Sequence, residues 1–283
     1  MKHLLFASIF HLLFSFSYLN AQDESPEVPG DHFSLEGSLD LFQKSSSLEE
    51  FEQKLNARDN KVNNLDLNED GQVDYVSVRD EVDGDIHAIV LHVDINEQES
   101  QDVAVIEVEK SYDEVVILQM VGNDDLYGEG YIVEPRDREL SFDDDQYDET
   151  VVVNVNHWPS IRFIYGPAYR PWVSPWRFRA HPIWWKPWRP YPFATFHTRI
   201  YRPIGFHTVH IHRSVRAHHF YAPKRRSAPV VKTRYSVNVN KRTNTISASK
   251  TRTVKTRQGT KTTKTKVTKS SKGSRKTTTK TRN

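Results

Sequence analysis

Apolar residues are spaced as in a helix near the start of the folded region and alternate further on. Leu35, Leu39, Leu41 and Phe42 predict a short helix. Ser47-Leu48-Glu49-Glu50 has the form of a capping box, and Leu48, Phe51 and Leu55 lie on one face of a second helix that ends near Asn56. Past Asp66 the period becomes strand-like. Val73, Tyr75, Val76 and Val78 predict a first strand, and Val82-Asp83-Gly84-Asp85 a tight turn. Ile86 to Ile95, Val103 to Val108 and Val115 to Val121 predict three more strands, with Tyr131 to Val133 a short fifth before Pro135. Connections this short favour antiparallel neighbours. The expectation is an α+β fold, a small antiparallel sheet with two short N-terminal helices, followed by an irregular or disordered basic C-terminal region.

Beyond Glu149 the pattern weakens. Val151 to Val155 and Ile161 to Tyr165 predict one more hairpin across His157-Trp158-Pro159. All six Trp lie between Trp158 and Trp188, among prolines that break a regular ladder. Residues 241–283 are almost entirely Lys, Arg, Thr and Ser, with nothing to bury. The divisions expected are a signal peptide (1–21), a flexible leader (22–30), an acidic α+β domain (31–135), an acidic linker (136–150), a basic Trp/Arg/Pro/His-rich region (151–226) and a disordered Lys/Thr/Ser-rich tail (227–283).

Charge sharpens this picture. The net formal charge of +2 conceals two blocks. Residues 22–150 hold all 37 acids and only 8 cations, a net −29; residues 151–283 hold 30 cations and no acid, a net +30. The blocks are expected to attract one another at close range, within the chain or between copies, because screening at physiological salt sets in at about 8 Å. The 37% hydrophobic content is low for a wholly globular chain. With no cysteine there is no disulfide framework, thiolate zinc site or cysteine nucleophile.

Residues 1–21 have the layout of a signal peptide: Lys2 and His3, an apolar run from Leu4 to Leu19, then Ala21 as the cleavage point. The run is shorter than the roughly 20 residues of a membrane-spanning helix. Export to the periplasm, the outer-envelope surface or the medium is expected, with no transmembrane span in the mature chain.

One motif carries chemistry. Residues 66–74 read D-x-N-x-D-G-x-x-D. Calcium takes six to eight hard oxygen ligands at about 2.3–2.6 Å. Asp66, Asn68 and Asp70 converge by alternation, Gly71 permits the sharp turn, Gln72 offers its backbone carbonyl, and Asp74 ligates directly or through water. A structural calcium ion is expected. An EF-hand needs a bidentate acid at loop position twelve, where Ser77 stands. The loop instead resembles those of FG-GAP-type repeats, which lead straight into a strand; with one copy present, their propeller is not implied.

Residues 157–226 interleave cations with aromatic rings. Arg170, Trp172, Trp176, Arg177, Arg179, Trp184, Trp185, Lys186, Trp188 and Arg189 are the candidates for binding an anionic surface. Indoles and cations together suit a membrane–water interface, and they equally suit stacking on single-stranded nucleic acid. Export favours lipid headgroups, lipopolysaccharide or acidic polymers as partners. A third reading packs these Trp into the protein itself. His207, His210, His212, His218 and His219 read as a strand-like basic stretch rather than a metal site, since no second shell is evident. No Ser/His/Asp order, phosphate loop or paired carboxylate stands out, so an enzyme is not expected.

The runs LDLNEDGQVDYVSV, QDVAVIEVEK, LYGEGYIVEP and WPSIRFIYGPAYRPWVSPW, with the basic tail, resemble a family of exported bacterial proteins. The resemblance covers nearly the whole mature chain and implies a shared architecture without implying an activity.

Overall fold

Near-continuous burial along five consecutive strands builds the centre of the molecule. The computed structural model describes residues 28–111, 113–136, 153–209, 211–240, 245–256, 259–270 and 275–282. The expected signal peptide, most of the leader and nearly all of the acidic linker lie outside these residues. After a 3-10 turn at Pro29–His32 come α1 (Leu35–Gln43) and α2 (Leu48–Leu55). Ser34 Oγ accepts from Gly37 N at the start of α1, and Ser47 Oγ accepts from Glu50 N at the start of α2. The Glu50 carboxylate reaches one residue further back than a capping box requires and accepts from Ser46 N and Oγ.

A meander follows: β1 (Val76–Asp83), β2 (Ile86–Asp94), β3 (Ser100–Lys110) and β4 (Val116–Gly122), then the short α3 (Asp124–Tyr127) and β5 (Ile132–Pro135). The chain continues through α4 (Pro159–Ile164) and α5 (Phe193–His197) to β6 (Phe206–Val209), then α6 (Val215–Tyr221) and α7 (Pro229–Arg234). Strands β1 to β6 form one sheet in sequence order, every neighbour antiparallel. The fold is α+β.

Both faces of this sheet are covered, so its strands are buried nearly throughout, polar residues included. On the first face Val78, Ile89, Leu91, Ile106, Leu118 and Met120 pack with Leu39 and Phe42 of α1 and Phe51 and Leu55 of α2. On the second face Val90, Val105, Val121, Ile132 and Val209 meet Tyr221 of α6. The register slips between Leu91 and His92: Leu91 pairs with Ala104 and His92 with Asp102, leaving Val103 as the extra residue. This bulge turns Asp102 to the second face, against Arg79 and Tyr221.

The core does not stop at residue 135. Trp158, Ile161, Ile164, Phe206, Ala228 and Val231 belong to the first-face core, and β6 pairs with β5. Opposite charge and apolar surface hold the basic half on the acidic half. The hairpin expected across His157-Trp158-Pro159 is replaced by α4. Pro159 sits at its first turn, where a missing N–H costs nothing, and Ile161 and Ile164 share the buried face. Val151 and Val152 lie outside the described residues.

Beyond α7, β7 (Tyr235–Asn240), β8 (Thr245–Thr256), β9 (Gly259–Ser270) and β10 (Arg275–Arg282) form an antiparallel ladder in the order β10-β9-β8-β7. Thr recurs along these strands. A β-branched residue favours extended backbone without supplying apolar bulk, so composition alone registers only the lack of a core. Among the described residues no helix is long and apolar enough to cross a membrane.

Candidate functional site

The Asp66–Asp74 loop is drawn together by its own side chains. Asp66 accepts from Asp70 N and Gly71 N, each at 3.1 Å. Asn68 Oδ1 accepts from Asp70 N at 2.8 Å, and Asp70 Oδ1 accepts from Gln72 N at 2.8 Å. Asp74 Oδ2 accepts from Leu67 N at 2.5 Å. Glu69 and Gly71 take positive φ, 61° and 84°, to make the curl. Buried Leu65, Leu67 and Val73 fix the loop ends in the protein.

Four of the five predicted ligands, Asp66, Asn68, Asp70 and Asp74, are thus linked in one loop. Gln72 is exposed, and its N–H joins the same network. The Asp74 carboxyl is pushed well above the usual range by burial and by the nearby charges of Asp66 and Asp70. Asp66 is raised by burial and by Asp70. Burial is the larger cause in both, and the neighbouring like charges add to it.

The aromatic segment docks directly beside this loop. Val73 N donates to Trp188 O at 2.8 Å. The Tyr75 ring meets Trp185 edge-on, centroids 5.1 Å apart. Further along, Asp80 N donates to Trp172 O and Ser174 N to Val78 O, so residues 172–174 cover the open edge of β1.

The ten candidates for surface binding therefore divide. Trp185 is buried at 6% exposure, and Trp172, Trp176 and Trp188 are half-buried. Trp172 and Trp185 follow the third reading and pack within the protein. Trp184 is 50% exposed, and Arg170, Arg177, Arg179, Lys186 and Arg189 are exposed. Two successive turns present the exposed group: Arg177 to Ala180, with Arg179 at φ 60°, and Pro182 to Trp185, with Ile183 at 97% exposure.

Sequence reasoning misses a polar layer between the second sheet face and α6. Arg79 Nη2 donates to Asp102 Oδ1 at 3.1 Å and to Tyr221 Oη at 2.7 Å, and Tyr221 Oη donates to Asp102 Oδ2. Arg213 Nε donates to both oxygens of Glu134, at 2.7 and 2.8 Å. Glu107 and Gln119 are register partners on β3 and β4. Gln119 Nε2 donates to Glu107 Oε2 at 2.6 Å. The available signal was a polar side chain in each of two apolar strands, Glu107 in Ala104–Val108 and Gln119 in Val115–Val121.

His92, also on the second face, gives this layer a pH signature. Burial, with the charges of Arg79, Arg226 and Arg177, holds its ring down at about 3 from an ordinary 6.5. The unfolded chain then binds a proton that the folded chain refuses. Stability from this group is complete above pH 6.5 and is lost as pH falls from 6.5 toward 3, at up to about 1.4 kcal/mol per unit. His92→Leu should flatten that part of the acid limb in urea titrations run at successive pH values. Parallel limbs for the two proteins would refute the assignment.

No protein-family model, curated protein or solved structure matches the chain. The functional reading rests on the chemistry of these residues.

Proposed function

We propose that this is a non-enzymatic, exported, envelope-associated protein. Its calcium-stabilised acidic half holds out a cationic, aromatic tip that binds anionic surfaces: lipid headgroups, lipopolysaccharide or acidic polymers. The observation that carries the reading is the exposed pair Ile183 and Trp184 standing between Arg177, Arg179, Lys186 and Arg189 in the half of the chain without acids. An exposed indole and an alkyl group enter the headgroup region while neighbouring cations meet its phosphates. Export is supported by the layout of residues 1–21.

Calcium suits the loop because every donor on offer is a hard oxygen and three of the four side chains are carboxylates. Asp66, Asn68, Asp70 and Asp74 would hold the ion, which would relieve their mutual repulsion. The ion's role is structural: the loop carries Val73, whose N–H holds Trp188 O, and thus supports the base of the tip.

Co-sedimentation with vesicles tests the surface reading. The purified mature chain is expected to bind vesicles containing anionic lipid at low ionic strength and to release them toward 1 M salt, where the screening length falls to about 3 Å. Equal binding to zwitterionic and anionic vesicles would end it.

A further inference from the structure

Five residues of chain separate His212 from His218, yet their rings stack with centroids 3.7 Å apart. They meet over Glu107 of β3. His218 Nδ1 lies 3.0 Å from Glu107 Oε1, and His212 Nδ1 lies 3.0 Å from the Gln119 amide nitrogen that grips Glu107 Oε2. Ligand atoms of the two rings and the carboxylate all fall within 4.8 Å of one another. Glu107 is fully buried and the rings are half-buried.

We propose that Glu107, His212 and His218 form a binding site for a divalent transition ion of the zinc type. Zinc takes imidazole nitrogen and carboxylate oxygen at about 2.0–2.2 Å, and two His with one carboxylate is an established donor set that leaves a fourth position for water or a further ligand. The same set is too nitrogen-rich for calcium. The ligand atoms, now within 4.8 Å of one another, would draw together by side-chain rotation to close around one ion.

The support that sequence alone does not reveal is present. Gln119 Oε1 accepts from Arg213 N at 2.7 Å and from Ser214 N at 3.3 Å. Backbone N–H groups only donate, so the amide orientation is fixed and its NH2 must face Glu107 and His212. That fixes one carboxylate oxygen and leaves Glu107 Oε1 toward His218. It also requires His212 Nδ1 to be an unprotonated acceptor, the form that ligates a metal. On binding, His212 Nδ1 would exchange the Gln119 amide for the ion and His218 would carry its one proton on Nε2, so that both rings offer Nδ1.

The ion would clip the connection between β6 and α6, which carries His212, and the helix itself, which carries His218, onto β3. This role is independent of the calcium loop and of the exposed tip.

Chelator-stripped full-length mature protein, dialysed against zinc and assayed for metal content, is expected to retain about one zinc per chain. His212→Ala and His218→Ala should each weaken zinc affinity by at least about tenfold in competition with a chromophoric chelator. Asp70→Ala and His157→Ala should leave it unchanged. Cobalt loaded in place of zinc should give visible d–d absorption in the wild type that the two site variants lack. Circular dichroism in chelator establishes that the variants fold. Failure of the wild type to bind zinc, or equal affinity in the wild type and both site variants, would overturn the proposal.

Discussion

Glu52→Ala is expected to lower the free energy of unfolding by about 3–5 kcal/mol. Each buried donor left unsatisfied costs about 1–3 kcal/mol, and this carboxylate serves several. It accepts from Val78 N at 2.9 Å, Tyr75 Oη at 2.8 Å and Ser174 Oγ at 2.8 Å, with Trp172 Nε1 at 3.4 Å. These donors come from β1, the approach to β1 and the aromatic segment, so one side chain of α2 holds three parts of the chain together. Glu52 is buried, and that burial raises its carboxyl above the usual range. Glu52→Gln keeps one carbonyl acceptor and should cost less. Urea denaturation followed by far-ultraviolet dichroism gives both values. A loss below about 1 kcal/mol for the alanine variant would mean that water replaces the carboxylate at little cost.

Calcium should raise the thermal midpoint of the chelator-treated protein. An ion that binds only the folded state stabilises it by about 2.7 kcal/mol at a hundred times its dissociation constant. For a chain of this size that corresponds to roughly 5–10 °C. Asp70→Ala should abolish the rise with little effect on the calcium-free midpoint, because Asp70 is exposed and its main contacts are to neighbouring backbone. Magnesium, which demands a tighter octahedron, should give a smaller shift. Differential scanning calorimetry in chelator, calcium and magnesium makes the comparison. An undiminished calcium shift in Asp70→Ala would remove the loop from the account.

The meander was readable because its information is local. The run of β-branched residues in Val103 to Val108, the Asp-Gly turn at residues 83–84 and the serine ahead of Leu48 each specify structure within a few residues. The curl of residues 66–74 was readable for the same reason. What escaped depends on partners distant in sequence. Nothing near Phe206 announces that β6 pairs with Ile132 to Pro135. Trp185 against Tyr75 and Trp172 over Glu52 have the composition of an interfacial surface and the geometry of a core, since an indole serves both. Pro159 was read as a turn between strands, and its other role, opening a helix, prevailed because Ile161 and Ile164 had a core to face. The Glu107, His212 and His218 group required the sheet register and the β6–α6 connection together.

The tip and the Lys/Thr tail both carry charge, so binding to anionic vesicles alone leaves two sources. Substituting Ile183→Ser and Trp184→Ser together removes exposed apolar surface and leaves every cation in place. Burying such a side chain is worth about 1.5–3 kcal/mol, and about 1.4 kcal/mol is a tenfold change in affinity. The decisive measurement is the partition of this double variant and of the wild type onto anionic vesicles at physiological salt. The account predicts that the variant, with its calcium-dependent midpoint intact, binds at least about tenfold more weakly. Equal partition of the two proteins would place adhesion in unspecific tail charge and contradict the assignment of the tip.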